Sequence, residues 1–399
     1  MAPLRCWPNA MRALCIYGGP VAREHLGQNG LLPSEVATIP GAAGGPKGLI
    51  LGPLDRFIFG DWLNASDQPV DLVGASIGAW RMATACLNRP VEAFLRLERD
   101  YIGQHYELLP GEKRPAAHRI SKLFGQSLLD FYGGRVHEVL NHKRFRLHIL
   151  TSRGRHILAR EHSMKTPLGY LGAFLTNTLR RKSMGAWLER VVFSAGIETP
   201  RLPFTTEDYR TRQVSLTDAN FMQALQASCS IPFVLNSVHN IPGAPPGAYW
   251  DGGITDYHLH LNYSGAINKA AENPYPARVN VQFYSENGVD SALTPKRANL
   301  VLYPHFQKAV VPGWLDKGLK WRHKATHHLD NMLLLAPNPE WVKSLPNGKL
   351  PDRNDFTHYG SDLNGRVRAW TTAASASQQL ADEFAAWLVR PDPSLVQLL

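Results

Sequence analysis

Residues 70–87, Val-Asp-Leu-Val-Gly-Ala-Ser-Ile-Gly-Ala-Trp-Arg-Met-Ala-Thr-Ala-Cys-Leu, set a short apolar run directly against a helical pattern, with Ser76 at the join. This stretch limits the fold more than any other. An apolar run without alternation reads as a strand buried on both faces, and such strands belong to parallel sheets covered by helices. A strand that passes at once into a helix needs a sharp turn, and the residues two before and two after its apex must be small. Gly74 and Gly78 hold those positions. The segment therefore predicts strand, tight turn and helix, with the Ser76 hydroxyl presented as a nucleophile. An ordinary strand-to-helix loop with a capping serine fits the same residues.

The rest of the chain repeats the alternation. Apolar runs at residues 35–39, 70–73, 146–150, 279–284, 299–303 and 332–335 read as buried strands. Helical patterns at 79–87, 91–106, 219–228 and 367–389 separate them. The fold class is α/β, a mostly parallel central sheet with helices on both faces, whose chemistry lies at the carboxyl ends of strands. A chain of 399 residues that is 44% apolar can bury a substantial core. No internal repeat is visible, and the Pro/Gly-rich stretch 241–247 is too short to link domains. We read residues 35–275 as the core, residues 1–34 as a segment packing on it, and residues 276–399 as an extension of the same domain.

Upstream of the serine, the first predicted strand runs into Gly41-Ala-Ala-Gly44-Gly45-Pro46-Lys47-Gly48, followed by a helical stretch with Pro53 near its start. Consecutive glycines let backbone N–H groups converge, and a helix N-terminus behind them adds positive potential, so the loop is suited to an anion. It lacks the spacing of a Walker or a Rossmann loop. Next to a serine turn, an oxyanion is the fitting occupant. Lys47 either adds charge there or is a solvated first-turn lysine.

A serine nucleophile needs a general base. Tyr249-Trp250-Asp251-Gly252-Gly253 sets an acid between a strand-like aromatic pair and two glycines that permit close approach to another loop. A Gly-rich loop with Gly44-Gly45-x-Lys47-Gly48, then Gly74-x-Ser76-x-Gly78, then Asp251-Gly252-Gly253, resembles the patatin-like phospholipases in order and spacing over residues 35–255. Ala224-Leu-Gln-Ala227-Ser228-Cys-Ser-Ile231-Pro232 is similar to a further segment of that family.

The resemblance implies a three-layer patatin-like fold and a lipid acyl hydrolase. It also implies a Ser76-Asp251 dyad, with the loop Gly44, Gly45, Pro46, Lys47 and Gly48 as oxyanion hole and Gly74, Gly78, Gly252 and Gly253 as supports. It implies a lipid or other acyl-ester substrate, no cofactor and no metal. One departure stands out: the family's loop begins with three glycines, and the first of these is Ala43 here. Burial beside Tyr249 and Trp250 would raise the basicity of Asp251 above that of a free carboxylate.

Two rival readings keep part of the fold. An α/β-hydrolase triad would draw its histidine from His258, His260, His327, His328 or His358, and a lipid-binding protein would keep the scaffold without turnover. The formal charge of +10, from 43 Lys+Arg against 33 Asp+Glu, suits reversible contact with an anionic membrane surface. No nucleic-acid motif accompanies it. Residues 167–193 combine aromatics with Arg180, Arg181, Lys182 and Arg190 at helical spacing, the pattern of a lid or interfacial helix bordering the acyl pocket, or of core packing with a solvated face.

His323, His327 and His328 have ligand-compatible spacing, but only Asp330 lies near them as an acidic partner. Cys6, Cys15, Cys86 and Cys229 show no CxxC pairing and read as reduced thiols. The brief run 13–17 is cut by Gly18-Gly19-Pro20 before a signal-peptide core develops, and no run is long enough to span a bilayer. The expected location is the cytoplasm, with peripheral membrane contact.

Overall fold

The apolar runs become strands of one sheet. The computed structural model describes residues 11–112, 114–162, 164–196, 200–272 and 298–399. Its strands are β1 (Leu14–Gly18), β2 (Val36–Gly41), β3 (Val70–Ala75), β4 (Phe145–Gly154), β5 (Leu188–Ser194), β6 (Thr211–Ser215), β7 (Val238–His239), β8 (Ala248–Asp251), β9 (Leu300–Pro304), β10 (Met332–Pro337) and β11 (Val396–Leu398). The sheet runs β11-β1-β10-β9-β2-β3-β4-β5-β6, with β8 paired to β4 and β7 to β8. The pairings β9-β2, β2-β3 and β3-β4 at its centre are parallel, as are β10-β9, β5-β6 and β1-β11. Antiparallel pairing is confined to β1-β10, β4-β5, β4-β8 and β7-β8. The result is the expected mostly parallel α/β sheet between helices.

Burial explains the composition of the strands. Every residue of β3, β5, β8, β9 and β10 is buried; β9 and β10 carry unbroken apolar sequence instead of alternation, while Asp71 of β3, Glu189, Arg190 and Ser194 of β5 and Asp251 of β8 are each held by a polar partner. The helix Ile77–Ala85 after the Ser76 turn is also buried along its whole length. Its one charged residue, Arg81, therefore requires a partner. Asp55 of the helix Gly52–Gly60 supplies one, accepting from Arg81 Nε and a terminal nitrogen at 2.7 Å each.

Several sequence expectations are corrected. The helical pattern at 91–106 is a helix over Pro90–Ile102, stopped at Gly103. The pattern at 367–389 is two helices, Leu363–Ala376 and Gln378–Val389, interrupted at Ser377, whose hydroxyl bonds back to the Ala374 carbonyl. The interrupted run 13–17 is β1, seated between β10 and β11.

Residues 167–193 are not one amphipathic helix. They comprise the end of a helix over Lys165–Leu179, a 3₁₀ turn over Arg181–Ala186, and most of β5. Arg190 lies inside the sheet, where no bilayer could reach it, because Asp256 and Asp208 hold it. The expected strand at 279–284 and Cys6 lie outside the described residues. Cys15, Cys86 and Cys229 are free thiols. Among the described residues no helix is long and apolar enough to cross a membrane.

Candidate active site

β4 brings the two ends of the site together. At ten residues it outlasts β3, which pairs with its first part and ends with Ala75 opposite Leu150. β8 then takes the place next to β4, running in the opposite direction, with Asp251 opposite Thr151. Ser76, one residue past β3, and Asp251, at the end of β8, therefore face each other beside neighbouring positions of a single strand. The Ser76 hydroxyl donates to Asp251 Oδ2 at 2.7 Å, and both residues are buried.

The turn at Ser76 is strained. Its φ of 57° and ψ of −131° lie where a residue with a Cβ rarely sits, at a cost of about 1–3 kcal/mol. Contacts around it explain how the conformation is held. A Cβ on Gly78 would lie 1.8 Å from the Gly41 carbonyl oxygen, so the elbow helix packs directly on the end of β2. At Gly74 a Cβ would meet Ala79 Cα at 2.4 Å. The Ser76 N–H donates to Ser228 Oγ at 3.0 Å, and Ser228 donates in turn to the Leu150 carbonyl at 2.7 Å.

Asp251 has an ordinary backbone and an unusual environment. Its N–H donates to the Ser230 carbonyl, its carbonyl accepts from Ser152 Oγ, and its Oδ1 accepts the Gly253 N–H at 2.7 Å. The segment 224–232 thus braces both halves, through Ser228 on Ser76 and Ser230 on Asp251. Gly252 lies so close to β4 that a Cβ would be 2.1 Å from the Leu150 carbonyl oxygen. Burial raises the Asp251 pKa above the usual carboxylate range; the Ser76 hydrogen bond, Arg353, the Gly253 N–H and Lys317 oppose that rise.

The glycine loop closes one side. The Ala43 N–H donates to the Tyr257 carbonyl, and the Ala43 methyl lies against Gly253, 2.6 Å from where a Cβ there would sit. The departure from three glycines is therefore absorbed by packing on Gly253. Residues 45–51 form a 3₁₀ helix capped by Gly44, in which amides bond back three residues and engage those of Lys47 and Gly48. Pro46 has no N–H. The first amides of a helix have no partner within it, which leaves those of Gly44 and Gly45 outside its ladder.

Cations ring this loop. The Lys47 ammonium lies 5.4 Å from the centre of the Phe306 ring, and burial lowers its pKa. Lys317 sits 4.1 Å above the Tyr257 ring; desolvation, with help from Arg353 and Lys47, brings its pKa down to about 8. Arg353 Nε is 3.4 Å from the position of a Cβ on Gly45. Lys317 and Arg353 come from the region after residue 276, where the sequence offers no motif. Only the fold brings Arg353 to the loop. Tyr170, from the stretch 167–193, lies beside the aspartate. Its ring packs 6.2 Å from that of Trp250, its buried hydroxyl has no hydrogen-bond partner among the described residues, and burial and the Asp251 charge hold its pKa well up.

The histidines are engaged elsewhere. His258 Nδ1 contacts the Ala309 carbonyl and Val311 N–H, and His260 bridges the Val310 carbonyl and Thr326. His327 packs on His328, and His358 on Tyr359. His323 Nε2 contacts the Asp316 carbonyl. Among the described residues no group of three or more His, Cys, Asp or Glu side chains is arranged to hold a metal ion.

The arrangement offers a hydroxyl already bonded to a desolvated carboxylate, two amides outside the helix ladder and a cationic rim, the parts needed for acyl transfer. A family model described as Patatin-like phospholipase matches residues 43–258, from the glycine loop past the aspartate turn. No curated protein matches the chain.

Proposed function

The chain belongs to the patatin-like phospholipase family, and on that premise we propose that it hydrolyses carboxylic esters of phospholipids or related lipids through a Ser76-Asp251 dyad. The observation that carries this reading is the buried 2.7 Å hydrogen bond from Ser76 Oγ to Asp251 Oδ2. Ser76 Oγ attacks the ester carbonyl carbon while its proton passes to Asp251, whose raised pKa makes it a better acceptor than a free carboxylate. The Gly44 and Gly45 N–H groups receive the oxyanion, aided by the N-terminus of the elbow helix. Collapse of the tetrahedral species expels the alcohol, which takes the proton from Asp251, and leaves an acyl group on Ser76. Water, deprotonated by Asp251, then attacks the acyl carbon, and collapse of the second tetrahedral species releases the acid as Ser76 Oγ takes the proton back from Asp251. Every step uses side chains and amides of the chain itself.

Lys47, Lys317 and Arg353 favour an ester with an anionic group near its alkoxy side over a neutral glyceride. The test is mass spectrometry of a total lipid extract incubated with the wild type, Ser76→Ala and Asp251→Asn. Free fatty acid with the wild type alone, matched by loss of a phospholipid, is the expected result. Release by Ser76→Ala at the wild-type rate would remove the serine from the mechanism, and no release by any of the three would leave only the architecture.

A further inference from the structure

The helix Lys165–Leu179 turns an apolar face outward. Its buried residues Thr166, Gly169, Tyr170, Ala173 and Asn177 follow helical spacing and pack inward, with Tyr170 against Trp250 beside Asp251. The opposite face carries Leu168, Leu171, Leu175 and Leu179, continued by Met164 just before the helix. Their exposures are 63%, 52%, 56%, 87% and 78% respectively. An ordinary surface helix carries charge on that face, yet residues 166–179 contain none. Phe233, held at φ 67° and 53% exposed, adds an exposed apolar side chain beside the helix, with its ring 6.0 Å from that of Tyr170.

Charge lies at the ends of this face. Lys165 precedes the helix's apolar residues, and Arg180 and Lys182 follow them, all exposed. A stripe of leucines with cations at its margins is what sits in the interface of an anionic bilayer, apolar side chains among the acyl chains and cations at the headgroups. A second copy of the chain fits the face less well, because antiparallel pairing of two such helices would set Lys165 of one beside Arg180 and Lys182 of the other.

We propose that this helix, with Phe233, is the surface by which the protein docks on an anionic lipid bilayer. The inference rests on the reading of the protein as a lipid acyl hydrolase and adds how it reaches its substrate. Docking there places the bilayer on the outer side of the helix whose inner side packs next to the aspartate. The helix is also tied to that turn: Arg181, two residues past its end, donates to the Thr255 carbonyl and contacts Asp256 and Asp316, while Asn177 donates to Asp316 at 2.8 Å.

Flotation tests this in a Ser76→Ala background, which leaves the lipid intact. The vesicles are phosphatidylcholine alone and equal parts of phosphatidylcholine and phosphatidylglycerol. Ser76→Ala is expected to float with the mixed vesicles and weakly with phosphatidylcholine. Adding Leu175→Asp and Leu179→Asp should lower partitioning at least about tenfold. The two aspartates placed in the otherwise wild-type chain should leave kcat/KM on a soluble short-chain ester unchanged, which also shows that the variant folds. Equal flotation with and without the aspartates overturns the proposal, as does absence of flotation with either vesicle. Loss of self-association in sedimentation, without a change in flotation, would assign the face to a second copy. Failure of the wild type to cleave the short ester would instead count against the hydrolase reading, with the flotation result standing separately.

Discussion

Ser76 and Asp251 reach the same hydrogen bond by opposite physical routes. The serine sits on a strained backbone in a well-satisfied polar setting, its N–H bonded to Ser228. The aspartate sits on an unstrained backbone, φ −47° and ψ 127°, but carries a carboxylate whose ionised form burial disfavours. One half of the site stores its cost in torsion angles, the other in desolvation. The difference matters because the two costs respond to different perturbations: packing controls the first, and pH and neighbouring charge control the second.

The largest effect should come from removing either partner. Ser76→Ala or Asp251→Asn is expected to lower kcat/KM on a short-chain ester by a factor on the order of 10⁴ or more. Stability should then separate the two. Asp251→Asn removes a group whose ionised form burial disfavours, so it should raise the unfolding midpoint more at about pH 8 than at about pH 4. The sign follows from the raised folded-state pKa: the native state holds the proton longer, and the stability this gives is lost as pH rises from the unfolded value through the folded one. Calorimetry at the two pH values checks it, and an equal shift at both would show that desolvation is not the cost at Asp251.

Packing probes address the serine side. Gly78→Ala should cost about 3 kcal/mol in urea unfolding, because the methyl meets a backbone oxygen that cannot move alone, and activity should fall with the lost turn. A well-tolerated alanine there would mean that the Ser76 conformation does not depend on the contact with β2.

Smaller effects should come from the cationic rim. Arg353 lowers the Asp251 pKa, so Arg353→Gln should move the rising limb of the kcat/KM profile to higher pH, with an unmoved limb removing Arg353 from the electrostatics. Lys317, with its pKa brought down to about 8, should lose charge in the alkaline range. Hydrolysis of an anionic lipid should decline there relative to a neutral ester. Lys317→Gln should flatten that difference at the expense of a modest rise in KM at neutral pH.

Much of this architecture was legible in the residues because local sterics wrote it there. The pattern around Ser76 admits only small neighbours, and the acid between Trp250 and paired glycines is marked in the same way; in the fold the two lie one hydrogen bond apart. The buried strands β2, β3, β9 and β10 were readable because burial on both faces removes polar residues from them. β5 was misread because its buried Arg190 looks like a surface cation until Asp256 and Asp208 are known to enclose it. Arg353 was invisible as a site residue for a related reason: a lone arginine has no local constraint to mark it, and only the crossing of distant segments gives it a role.

The shared use of β4 has a consequence for how such a protein can change. The chain runs 175 residues from the serine to the aspartate, yet the gap between their side chains is counted in single steps along one strand. β4 is a ruler, and β3 and β8 are read against its marks. Insertions in the intervening loops leave the reading untouched. A slip of β8 by one residue would turn the carboxylate to the other face of the sheet. Variation in length should therefore collect between the marks, while the register of β4 with its two neighbours stays fixed.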